Sequence, residues 1–239
     1  MEKDISLQII ANFIHQVINP IGGVVGTLDN ICDGTTPPDK IKQRTNAARS
    51  QLEQVISLVR NLDFFVKLSI DSDFRYDGKT SKHCIIPQVL IESMQFYQEQ
   101  ALNRNILLNL LNREDQYFIH GNVDLLRQVF MNIFDNAVKY SKNQSNVNVR
   151  TWEQKKTNKL IIEFLSHSVP FDNSNSERLF ELGYRADQAK EKTSSGSGIG
   201  LYICKSIIEK VFGGEIKMQY DNVNEIAKTL IYFKDYGKK

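Results

Sequence analysis

Long apolar runs are missing from this chain: no stretch approaches the roughly 20 consecutive apolar residues a membrane-spanning helix requires. Cysteine is nearly absent too. Cys32, Cys84 and Cys204 are widely spaced, with no Cys-x-x-Cys among them, which excludes a disulfide framework and a zinc site and fits a reducing compartment. An excess of either charge is also lacking. The 30 basic and 28 acidic side chains nearly cancel to +2 and are spread along the chain, so no nucleic-acid or anionic-membrane partner is called for. The opening MEKDISLQII has acidic residues among its first four and no cationic segment before an apolar core, so it is not expected to act as a secretory leader. A cytoplasmic location is expected, with any signal detected by the few N-terminal residues or by an upstream sensor protein. Neither repeats nor low-complexity tracts interrupt the 239 residues, a length that suits two small domains.

Between Ile5 and Ile31 apolar side chains recur at Ile10, Phe13, Ile14, Val17, Ile18, Ile21, Val24, Val25, Leu28 and Ile31, the spacing of a helix with one broad buried stripe. Asp33 to Asp39 is a cluster of breakers, and a second periodic segment follows from about Lys40 to Ile70, with Leu52, Val55, Ile56, Val59, Leu62 and Val66 near heptad positions. A hairpin of two such helices buries too little between its arms, so the stripes predict a homodimer built as a four-helix bundle. The polar stretch Asp71–Ser81 is the expected boundary, giving a hairpin over 1–72, a linker over 73–82 and a second domain over 83–239. In that domain the period predicts helices at Ile86–Leu102, Val123–Tyr140 and Gly200–Val211, and strands at Asn105–Leu110, Val147–Trp152, Leu160–Leu165, Glu215–Tyr220 and Ala227–Phe233. The fold class is α+β, an α/β sandwich with helices on one sheet face after the hairpin. Asp172–Ser176 and Asp187–Ser197 are polar enough to read as mobile loops.

Three constellations bear chemistry. Gly196, Gly198 and Gly200 lead directly into a helix, so bare backbone can approach a phosphate while free N–H groups at the helix start point toward it, although a glycine–serine loop also serves as a plain linker. On the Val123–Tyr140 helix, Asn132, Asn136, Lys139 and Tyr140 share one face at i, i+4, i+7 and i+8. Two amides and an ammonium suit a magnesium-bound triphosphate; a solvated polar face gives the same pattern. The first helix carries Phe13-Ile14-His15-Gln16-Val17-Ile18-Asn19-Pro20-Ile21, where a lone histidine is ordinarily a surface residue.

In order and spacing these segments resemble the two-component sensor histidine kinases over nearly the whole chain. Asn132-x-x-x-Asn136-Ala137-x-Lys139-Tyr140-Ser141 is similar to the N box of their Bergerat-fold ATPase domain, and Gly196-x-Gly198-x-Gly200-Leu201 with Gly213-Gly214 to its second glycine box. Glu177 to Arg185, with Phe180, resembles the short Phe-containing box before the lid, and His15 to Ile21 resembles the phospho-acceptor box. The resemblance implies ATP and Mg²⁺ as cofactors, with Asn136 helping to hold the metal. The glycine loop becomes a lid over the phosphates, His15 the phosphorylated nucleophile, Asn19 a group that orients the ring or a water, and an Asp on a response-regulator receiver domain the acceptor. Related ATPases place a water-activating Glu where this chain has Asn132, and an amide cannot act as that base, which favours phosphotransfer over hydrolysis.

Two positions depart from the pattern. Gln16 stands where the family has an acidic residue after the phospho-acceptor. The first glycine box, Asp-x-Gly-x-Gly in the family, reads Ser166-His167-Ser168-Val169-Pro170. Replacing the adenine-reading carboxylate by Ser166 is expected to weaken base recognition by about 1.5–3 kcal/mol, roughly ten- to hundredfold in affinity. The expected activity is an ATP-dependent protein-histidine kinase in a phosphorelay. The alternative is a non-kinase phosphotransfer adaptor whose degenerate ATP domain is a docking scaffold, and a third reading is an ATPase-driven switch without phosphohistidine.

Overall fold

The computed structural model describes residues 2–70, 82–193 and 196–238. Helices α1 (Glu2–Cys32) and α2 (Pro38–Ile70) pack side by side as the expected hairpin. Pro38 is the first helical residue of α2, where its missing N–H has no intrahelical partner to lose. Gly34, at φ +69°, makes the left-handed step that ends α1. Pro20 lies inside α1 and the helix continues through it. The expected boundary at Asp71–Ser81 lies outside the described residues; Lys82, assigned to the linker, already belongs to a strand.

The rest of the chain is a layered α/β domain. Strand β1 (Lys82–Ile85) leads into α3 (Ile86–Gln95) and α4 (Gln98–Leu102), so the single helix expected over Ile86–Leu102 is divided at Phe96-Tyr97. Then come β2 (Leu107–Leu110), β3 (Tyr117–Gly121), α5 (Val123–Tyr140), β4 (Asn146–Gln154) and β5 (Lys159–His167). A 3₁₀ stretch over Asn173–Phe180 and α6 (Asp187–Lys192) occupy the segments read as loops. Helix α7 (Gly200–Ser206) continues into a π-helical turn, and β6 (Glu215–Asp221), β7 (Ile226–Phe233) and β8 (Gly237–Lys238) complete the chain.

Five strands form the main sheet in the order β2-β4-β5-β7-β6, antiparallel except for the parallel β2–β4 pair, and β1-β3-β8 make a small second sheet. The amphipathic pattern of α5 explains its place. Leu126, Val129, Phe130, Ile133, Phe134 and Ala137 face the sheet, where Phe130 and Phe134 meet the Phe164 ring of β5 at 5.9 and 5.2 Å. Both ends of α5 are satisfied. The Asn122 side chain accepts from Leu125 N–H at 3.0 Å, and the Arg104 guanidinium donates to the closing carbonyls of Val138, Lys139 and Ser141. Helix α2 meets this domain at its own C-terminal half: Phe64 is buried in the domain core, and Phe65 sets its ring edge-on to Tyr202 at 6.3 Å.

Candidate functional site

A cleft of about 380 Å³ opens between the hairpin and the sandwich. One wall is the last two turns of α5, with Asn132, Asn136, Lys139 and Tyr140; another is the glycine loop with Gly196, Gly198, Gly200 and Leu201. The floor is sheet: Phe164 and Ser166 of β5, with Met218, Ala227 and Thr229 of β6 and β7. Gln16, Asn19 and Pro20 of α1 and Gln54, Ser57, Leu58 and Asn61 of α2 close the remaining side. His15 is exposed, next in sequence to Gln16 and on the same helical face as Asn19. Three groups of expected site residues, distant in sequence, thus border one cavity. Phe180 does not: 3% exposed, it is a core side chain beneath the Lys205 ammonium, while its neighbour Leu179 reaches the cleft.

Glycine is required in the loop. Gly198 has φ +70°, and a Cβ there would fall 2.6 Å from the Gly183 carbonyl carbon, so the loop packs backbone to backbone on the preceding box, where Gly183 N–H donates to Gly198 O at 3.1 Å. At Gly196 a Cβ would lie 3.1 Å from Lys139 Nζ and 3.3 Å from the Arg185 guanidinium, so two cations flank this glycine. Arg185 escaped the sequence reading as a site residue although it closes the Phe-containing box. Its side chain donates to the carbonyls of Ala189, Thr193 and Gly196, tying α6 to the glycine loop.

Burial dominates the titration of the α5 face. It lowers the Lys139 pKa, with Asp135 opposing and Arg185 reinforcing the shift. It raises that of Asp135, with Lys139 and the Gln54 hydrogen bond opposing, and raises that of Tyr140. Asp135 is the one carboxylate on the cleft wall among the described residues, and the floor carries neutral hydroxyls at Ser166 and Thr229. Asp172, near the first glycine box in sequence, instead caps the 3₁₀ stretch through Ser174.

Asn132 has a partner that its sequence did not announce. Its Nδ2 donates to Asn61 Oδ1 and its Oδ1 accepts from Asn61 Nδ2, both at 2.9 Å, so two amides from different domains close a reciprocal pair. Gln128 Nε2 donates to Ser57 Oγ at 2.9 Å and Asn61 Oδ1 at 3.1 Å, and Gln54 Nε2 donates to Asp135 Oδ1 at 3.3 Å. A signal existed in the form of Ser57 and Asn61, small polar residues one turn apart beside the apolar heptad positions of α2.

Residues 121–234 match the family described as histidine kinase-, DNA gyrase B-, and HSP90-like ATPase. This stretch is similar to the ATPase domain that those proteins share. The histidine protein kinase SaeS of Staphylococcus aureus is 22% identical over 214 residues, spanning 87% of this chain and 58% of that protein, so the chain covers less than two thirds of such relatives. In fold, the histidine kinase AdeS of Acinetobacter baumannii superposes with a TM-score of 0.55 at 18% identity, covering 92% of this chain and 96% of that one. Full-length ShkA in complex with AMPPNP gives 0.59 at 15% identity over 97% of this chain and 46% of that one. Histidine kinase ThkA in complex with the response regulator protein TrrA gives 0.56 at 17% identity over 94% and 60%. The domain match and the relatives liken the chain to histidine kinases with a Bergerat-type ATPase domain, and the solved structures share its fold. No described helix is long and apolar enough to cross a membrane.

Proposed function

We propose that this chain is an ATP-dependent protein-histidine kinase that phosphorylates His15 and passes the phosphoryl group to an Asp of a response-regulator receiver domain. The observation that carries this reading is the single cavity bordered by the N-box face, the glycine lid and the helix bearing His15. Lys139, Arg185 and the lid N–H groups hold the triphosphate, and transfer proceeds mainly by positioning and charge stabilisation. A ring nitrogen of neutral His15 gives its electron pair to the γ-phosphorus, the bond from that phosphorus to the bridging oxygen breaks, and ADP leaves with the negative charge. The ring then sheds a proton to water, since Gln16 cannot accept it. Asn136 offers an amide oxygen to Mg²⁺, which binds through few protein ligands and the phosphate oxygens; when bound, the ion neutralises charge on the triphosphate. The second domain is read as beginning near residue 83, and the protein as a cytoplasmic homodimer whose hairpins pair through their exposed stripes.

Mg·ATP at about 100 times its Kd should stabilise the chain by about 2.7 kcal/mol. Asn136→Ala and Gly198→Val should abolish that stabilisation while leaving the apo melting temperature of Asn136→Ala unchanged. A parent chain whose melting temperature ignores millimolar Mg·ATP would instead support the phosphotransfer adaptor, the reading that Ser166 in place of the family's carboxylate favours. A phosphorylated receiver domain should then load His15 without nucleotide.

A further inference from the structure

We propose that His83 and His120, opposed across the small sheet, form a chelating pair for a divalent d-block ion of the Ni²⁺ or Cu²⁺ class, at a site separate from the nucleotide cleft. Neither residue borders that cleft. Strand pairing sets the geometry. β1 and β3 run antiparallel with His83 directly opposite His120, so both side chains leave the same sheet face with Cβ atoms about 4.5–5.5 Å apart. The other face is core, since the alternate residues Cys84 and Ile119 are buried, and no cysteine takes part. Both imidazoles are exposed, and their ring centres stand 4.6 Å apart.

That separation suits chelation. A metal–nitrogen bond is about 2.0–2.1 Å, and with roughly 1.1 Å more from nitrogen to ring centre, two rings 4.6 Å apart subtend about 90° at a shared ion. Neighbouring ligands stand at this angle in tetragonal sites, the geometry of Cu²⁺ and Ni²⁺ with nitrogen and oxygen ligands. The rings now meet edge to face, at 77°. Turning a ring about its Cβ–Cγ bond, a torsion broad for histidine, re-aims its nitrogens and leaves its centre in place. The pair is also braced: His83 stacks on Phe118 at 4.5 Å, and Phe118 lies against the backbone of β8, where a Cβ on Gly237 would fall 2.3 Å from its ring. No third His, Cys, Asp or Glu completes a cluster among the described residues, so water takes the remaining coordination positions and the ion exchanges readily.

Position gives the site a consequence. His83 is the second residue of β1, the edge strand with which the described chain resumes after α2, and His120 lies three residues before α5, which carries Asn132, Asn136 and Lys139. An ion held by both ties the edge strand to the strand that feeds the cleft-lining helix, so its binding should stabilise the folded domain.

The test titrates the full-length chain, free of any polyhistidine tag, with Ni²⁺ in millimolar Mg²⁺, a cation that takes oxygen ligands and does not compete for imidazole. Calorimetry should show binding with half-saturation at micromolar concentration, and the melting temperature should rise with Ni²⁺. His83→Phe keeps an aromatic ring beside Phe118 and should leave the metal-free melting temperature unchanged. It should nevertheless weaken Ni²⁺ binding at least about tenfold, because removing even a hydrogen-bond partner of a metal ligand costs about 10- to 100-fold. His120→Gln should weaken it as much. Bound Cu²⁺ gives a readout independent of stability: its electron paramagnetic resonance should carry two equatorial nitrogens in the wild-type chain and one in His120→Gln. Unchanged Ni²⁺ affinity in both variants overturns the proposal. So does half-saturation of the wild-type chain only at millimolar concentration, the behaviour of a single exposed imidazole, or a Cu²⁺ spectrum that is the same in wild type and His120→Gln.

Discussion

Cys84 and Cys204 have no exposed surface, and burial pushes their thiols up to about 11 and about 12, whereas Cys32 sits exposed near the end of α1. The native protein should therefore react with a thiol reagent at one cysteine and the urea-unfolded protein at three; a count of reacted thiols by mass spectrometry checks this, and rapid reaction of Cys204 would contradict the packing. The linkage has a definite sign. With its folded pKa above its unfolded one, the Cys204 thiol contributes stability that is complete below about pH 9 and is lost as pH rises toward 12, at about 1 kcal/mol per pH unit in that window. Ser166 supplies a second residue-scale test. It is buried at 7% exposure on the cleft floor, opposite Ala227 in the sheet. Ser166→Asp should tighten ATP binding by about ten- to hundredfold in a calorimetric titration. Unchanged affinity would mean the pocket reads its base by other groups.

The helices show where pattern sufficed. Helix α5 runs over the expected residues because a strong apolar face, an Asn N-cap and a basic last turn all agree, so local and tertiary preferences coincide. Strands β1, β3 and β8 were missed for the opposite reason. Four, five and two residues long, they are defined by partners 33 to 121 positions away, as in Lys82 with Gly121 and Tyr117 with Lys238, and carry too few residues to display a period. The break at Phe96-Tyr97 has no Gly or Pro to announce it; Tyr97 is buried in the core there. The hairpin stripes yield the prediction at this scale. Ile14, Ile18, Ile21, Val25 and Leu28 of α1, with Leu52, Ile56, Val59 and Val66 of α2, are between 40% and 57% exposed in the single chain. Leu52→Glu with Val59→Glu should turn a dimer into monomers or insoluble protein, because burying unpaired carboxylates costs several kcal/mol. Light scattering at micromolar concentration checks it, and a wild-type monomer would contradict the bundle.

At the scale of the molecule, motif spacing picked out Gln16, Asn19, Asn136, Lys139 and the lid glycines, which border one cavity, with His15 exposed next to Gln16 on α1. What was not legible is how two domains meet. The Asn61–Asn132 pair depends on the docking geometry of α2 on α5, and Arg185 on the folding of α6 beneath the lid; neither is encoded in a local period. Phe180 was misplaced because a large aromatic in a short motif reads alike whether it lines a pocket or fills a core. The central claim is that this cleft delivers a phosphoryl group to His15. The most direct measurement is one incubation of the full chain with Mg²⁺ and γ-labelled ATP, followed by acid and alkali treatment of the labelled protein and of its His15→Ala variant. The account predicts label that is lost in acid, survives alkali and is absent from His15→Ala; label persisting in His15→Ala, or none in the parent, would contradict it.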